Sequence, residues 1–79
     1  MFVPEIGKLY YGRVVRLMTF GAFVELAPGK DGLVHISQVC DKFIRHPSEA
    51  VSVGDVVKVV VLEVDEKKKR ISLSMKQAK

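Results

Sequence analysis

The chain has 79 residues, 48% of them hydrophobic, and a formal net charge of +4. That length holds one small domain (residues 1–79, core about 7–76) with little room for the deep pocket of a complete enzyme, and so much patterned apolar content excludes disorder. A lone cysteine, Cys40, excludes an internal disulfide framework and a four-cysteine zinc site; no apolar run nears the ~20 residues of a membrane span, and no signal-peptide pattern opens the chain, so a cytoplasmic protein with no membrane attachment is expected.

Gly, Pro and Asp recur at short intervals: Pro4, Gly7, Gly12, Gly21, Pro28-Gly29, Asp31-Gly32, Pro47 and Gly54-Asp55. Between them lie short runs of Val, Ile, Leu, Phe and Tyr, the pattern of an all-β domain. A closed barrel suits this size because closure removes exposed strand edges. Five strands are expected. The first covers about Lys8 to Met18 and the second about Ala22 to Leu26. Residues 28–32 then turn the chain into a short third strand, about Leu33 to Ile36. The stretch from Ser37 to Val53 has no period-two pattern and reads as a long connection with one or two helical turns, one opened by Pro47 or Ser48. The fourth strand covers about Val56 to Val64, a hairpin occupies residues 65–69, and the fifth strand covers Arg70 to Met75.

Alternation assigns faces. In the second strand Ala22, Val24 and Leu26 share an apolar face, which leaves Phe23 and Glu25 outside. In the third, Val34 and Ile36 fit the core and His35 faces out. In the fourth, Val57, Val59 and Val61 face in and Lys58 and Val60 out, while Leu62-Glu63-Val64 breaks phase and marks a bulge. In the fifth, Ile71, Leu73 and Met75 oppose a polar face of Arg70, Ser72, Ser74 and Lys76. Of Tyr10 and Tyr11 one is expected outside, and alternation does not say which. Phe20 is open to two placements, beside Phe23 or in the core at a barrel end. Phe23 in turn can stand free or pack under the long connection, and His35 can simply hydrogen-bond a loop carbonyl.

The charge is concentrated at one end. Residues 66–79 carry net +5, from Lys67, Lys68, Lys69, Arg70, Lys76 and Lys79 against Glu66, and the rest of the chain carries net −1. A basic end suggests a polyanion partner, although lysines in a hairpin are also an ordinary solvated turn. Outward rings beside cations match what a single nucleic-acid strand needs: faces on which bases stack and charges for phosphates. His35, His46 and Cys40 lack metal-ligand spacing, and no nucleophile–base pair is evident, so neither metal, cofactor nor catalytic residue is expected.

Two segments carry a family resemblance. Phe20-Gly21-Ala22-Phe23-Val24, followed by Gly32-Leu33-Val34-His35-Ile36-Ser37, resembles the signature of the S1 RNA-binding domain. Gly54-Asp55-Val56-Val57-Lys58-Val59 and Arg70-Ile71-Ser72-Leu73-Ser74-Met75-Lys76 continue it in order. The first half is similar to the S1 domain of polynucleotide phosphorylases and the middle to that of the transcription accessory protein Tex. The resemblance implies a five-stranded antiparallel OB-fold barrel, with a short helix or helical turns between strands three and four. It also implies RNA-contacting roles for Phe20, Phe23, His35, Asp65 and Arg70, with Lys67, Lys68, Lys69 and Lys76 as supporting cations. The expected ligand is single-stranded RNA, with single-stranded DNA as a competing one, and the expected context is a larger RNA-associated protein. Asp65 would orient Arg70 or accept a hydrogen bond from a base or ribose. A second reading, a protein-interaction module, draws on an outward Val60 beside Phe23.

Overall fold

The computed structural model describes residues 3–78. Met1, Phe2 and Lys79, the last of which was counted in the basic end, lie outside the described residues. Five strands form a closed barrel: β1 (Leu9–Met18), β2 (Gly21–Ala27), β3 (Lys30–His35), β4 (Val56–Asp65) and β5 (Arg70–Ser74), in the cyclic order β1-β2-β3-β5-β4. Two 3-10 turns, Ile36–Gln38 and Pro47–Glu49, occupy the long connection, and Pro47 opens the second, as expected. All-β architecture, closure and the helical turns between β3 and β4 are therefore borne out.

Pairing is mixed rather than wholly antiparallel. β3 runs parallel to β5, with Leu33 opposite Ser72 and Val34 opposite Leu73, whereas the other four pairs are antiparallel. The long connection and β4 separate β3 from β5 in sequence, and such a crossover permits parallel neighbours where a tight hairpin does not. Strand ends also shift. β3 starts at Lys30, because Pro28 and Gly29 suffice for the turn and Gly29 takes the positive φ of 77°. Ile36 leaves the strand for the first 3-10 turn, and β5 ends at Ser74.

Alternation fills the interior with β-branched residues. Val14, Val24, Val34, Val59, Val61, Ile71 and Leu73 form the core, joined by Val39 from the connection. Branched side chains suit a pleated, curved wall. Gly32 is buried against Leu73: a methyl there would stand 2.5 Å from Leu73 Cδ1 and 2.7 Å from its Cγ, so its bareness makes room for the largest core residue. The bulge expected near Leu62 is present: register shifts between Val61 and Glu63. A second bulge, not expected, shifts β1 against β2 between Val14 and Arg16.

Ser74 departs from the polar outer face that alternation predicts for it: its exposure is 0%. Gln38 of the first 3-10 turn lies over it, and the Ser74 hydroxyl donates to Gln38 Oε1 at 2.8 Å. Met75 N and Lys76 N both donate to Gln38 O, so this turn ties the end of β5 to the end of β3. The tyrosine ambiguity resolves as well. Tyr11 is 71% exposed, while Tyr10 packs against the core and its hydroxyl accepts from Glu5 N at 2.9 Å.

Candidate functional site

One strand, β2, places the two phenylalanines. Gly21 opens β2, so Phe20 stands just ahead of the strand and Phe23 two residues inside it. Ala22 and Val24 turn inward with no exposure, which sends Phe23 outward by alternation. The rings meet edge to face, with centroids 6.3 Å apart and planes at 87°. That geometry suits the ring quadrupoles and leaves ring faces available. Phe20 is 45% exposed, so the placement at a barrel end in the core does not hold.

The register then builds a row across the barrel wall. Arg16 lies opposite Phe23, Phe23 opposite Leu33, and Leu33 opposite Ser72. Around this row runs a groove of about 700 Å³, which Phe20, Phe23, Arg16, Leu33, Asp31, Lys69 and Arg70 line. A second concavity of about 400 Å³ adjoins it through Asp31, Lys69, Arg70 and Ile71 and continues past Asp65, Lys30 and Pro4. The structure thus gathers Phe20, Phe23, Lys69 and Arg70 in one groove and sets Asp65 in its continuation. Phe23 lines the groove; it is half-buried in the wall rather than lost under the connection.

His35 sits one row away, opposite Gly21. It is exposed and caps the first 3-10 turn: Ser37 N donates to its Nδ1 at 3.2 Å, and Ser37 Oγ lies 2.8 Å from the same atom. A ring nitrogen that accepts an N–H carries no proton, so the neutral imidazole holds its proton on Nε2. The local bond is thus not one to a loop carbonyl: Nδ1 accepts from a backbone N–H instead, and the other edge of the ring remains a donor.

Asp65 and Arg70 face each other across the β4–β5 hairpin. The Asp65 carboxylate does not serve Arg70; it accepts from Lys68 N at 3.1 Å. That bond shapes the turn, in which Lys69 takes φ 54°, the left-handed region that side chains other than glycine seldom adopt. Asp65 thereby braces the turn that leads to Lys69 and Arg70. Lys67, Lys68 and Lys76 are exposed but do not line the main groove, so the basic end splits into two groove cations and a solvated remainder.

Arg16, Asp31 and Leu33 are groove residues not expected from sequence. The unanticipated bulge at Val15 carries Arg16 to the position opposite Phe23, and Val14-Val15 was its only trace in the sequence. Glu25 and Asp31 stand opposite each other, which places two carboxylates beside the basic groups and weakens the local positive field. Val60 is not beside Phe23. It pairs with Leu9 and Ser74, and β1 separates its strand from β2. Lys8 is held above the ordinary lysine value by the Glu5 carboxylate it bonds; neither residue lines the groove. Among the described residues no group of three or more His, Cys, Asp or Glu is placed to hold a metal ion, and no helix is long and apolar enough to cross a membrane.

Comparison with known proteins agrees with the geometry. The family described as S1 RNA binding domain matches residues 3–76. A chain in the crystal structure of an a/eIF2alpha–aDim2p–rRNA complex from Pyrococcus horikoshii OT3 is similar at 34% identity and a TM-score of 0.91, over 99% of this chain and 48% of that one. The solution structure of GSP13 from Bacillus subtilis is similar at 51% identity and a TM-score of 0.83, over 90% of this chain and 55% of that one. An uncharacterised protein from Methanocaldococcus jannaschii matches over the full length of both chains at 30% identity and a TM-score of 0.79. The chain spans about half the length of the first two of these structures.

Proposed function

The chain belongs to the S1 RNA-binding domain family, and we propose that it binds single-stranded RNA in the groove between Phe20, Phe23 and Arg70. The observation that carries this reading is the meeting of an edge-to-face ring pair with Arg16, Lys69 and Arg70 in one concavity. Unpaired bases stack on Phe20 and Phe23, and phosphates take Arg70, Lys69 and Arg16 as counter-charges. His35 offers Nε2–H to a base or ribose on the next row. Asp65 fixes the hairpin from which Lys69 and Arg70 project. Stacking accepts any base, so sequence preference is weak. Residence in the cytoplasm and attachment to a larger RNA-associated protein complete the reading. Two relatives of about twice this length support it, one of them from a complex that contains rRNA.

Salt tests the phosphate part. Three groove cations against a single strand give a slope of log K on log salt of about −2, from ~0.7 per neutralised phosphate. Asp31 and Glu25 make it shallower still. Fluorescence anisotropy of a labelled oligouridine across a salt series reads this slope. An affinity that does not change with salt contradicts phosphate binding in the groove.

A further inference from the structure

We propose that the loop from Cys40 to His46 forms a second base-stacking contact, centred on Phe43, which lengthens the strand path beyond the main groove; the inference rests on the RNA-binding reading above. Phe43 is 90% exposed, more than any other large hydrophobic residue described. Such a ring offers a whole face to a ligand, and covering it on binding removes apolar surface from water. Its exposure is built into the loop. Before it, Cys40 Sγ donates to Lys42 O at 3.4 Å. After it, Ile44 packs against the core and Pro47 is buried. Arg45 N and His46 N both donate to Glu49 Oε2, at 2.6 and 3.0 Å, which closes the loop onto the second 3-10 turn. With both flanks tied down, the ring between them is held outward.

The ring's neighbours decide the ligand class. Exposed Lys42 and Arg45 flank it in sequence and outnumber the exposed Asp41, so the loop carries an aromatic ring with a net positive charge, as the groove does. That combination fits a base and its phosphates. Position fits as well. The connection leaves the barrel beside the groove, where Ile36 N donates to Phe20 O at 2.9 Å. Seven residues separate Ile36 from Phe43, a reach of at most about 25 Å. The whole molecule measures 34 × 22 × 20 Å. A single OB fold covers about 4–16 nucleotides, so one strand can engage both places.

Length of the RNA separates the two contacts. The test uses oligouridines of about 4 and about 16 nucleotides, the ends of that footprint range, read by anisotropy at fixed low salt. Phe43→Ala is expected to weaken the long oligomer at least about fivefold and to leave the short one unchanged. Phe23→Ala weakens both. The chain has no tryptophan, so Phe43→Trp adds a sole indole whose emission reports stacking directly. The long oligomer should quench that emission and the short one should not. If the parent binds both oligomers while Phe43→Ala matches it on both, or loses affinity equally on both, the loop contact is wrong and the groove reading stands. A silent indole during binding of the long oligomer overturns it equally. A parent that binds neither oligomer overturns the RNA reading itself, and this inference with it.

Discussion

Replacing Phe23 by alanine is expected to weaken binding of a single-stranded RNA oligomer by roughly 5- to 150-fold, the equivalent of one lost base stack of about 1–3 kcal/mol. The ring sits centrally in the row from Arg16 to Ser72, and it supports Phe20 through their edge-to-face contact. Removing it takes away one platform and the neighbour that orients the other. Stability should change little, because Phe23 lies outside the interior cluster of valines, Ile71 and Leu73. Phe23→Tyr retains a face of the same area and should bind within about threefold of the parent. Anisotropy at fixed salt reads the affinity, and thermal melting checks the fold. An alanine variant that melts and binds like the parent places the RNA elsewhere.

The largest loss of stability is expected from Gly21→Ala. A methyl at Gly21 collides with the Val34 carbonyl oxygen and lies 3.1 Å from both His35 Cα and Leu33 Cδ1. Two of those three neighbours are backbone of β3, which cannot rotate aside as a side chain can. The strands must therefore part, at a cost of about 3 kcal/mol. In a domain of this size that lowers the melting temperature by roughly 10–25 °C. The proposed site rests on the same contact. Gly21 lies between the two rings and opposite His35, and its bareness lets β3 run close enough for Phe20 O to accept from Ile36 N. A Gly21→Ala protein that melts within about 3 °C of the parent shows that the strands have slack there.

Much of the barrel was legible in the sequence because period-two alternation is local. Ala22-Val24-Leu26 and Val34-Ile36 each leave only one face for the core, and Phe23 and His35 fall outside by exclusion. The features that escaped are those made by distant parts of the chain. Parallel pairing of β3 with β5 follows from closing the barrel, which no local pattern encodes. Ser74 keeps its strand face, but Gln38, 36 residues away in sequence, covers it. Arg16 reaches the groove through a bulge, and a one-residue bulge exchanges the faces on either side of it. For Asp65 the sequence leaves two roles open, orienting Arg70 or accepting from a base or ribose, and does not show the bond its carboxylate makes to the backbone of Lys68, which belongs to the hairpin turn. The basic end read as one patch. Hairpin geometry divides it, sending Lys69 and Arg70 into the groove and leaving Lys67 and Lys68 in solvent.

An NMR chemical-shift titration with a short single-stranded RNA tests the placement of the strand most directly. The groove reading predicts that the largest shifts fall on Arg16, Phe20, Phe23, His35, Lys69 and Arg70, with the outer β1–β4 face of Leu9, Tyr11 and Val60 unmoved. Shifts centred on that face, or none at RNA concentrations in the millimolar range, would contradict it.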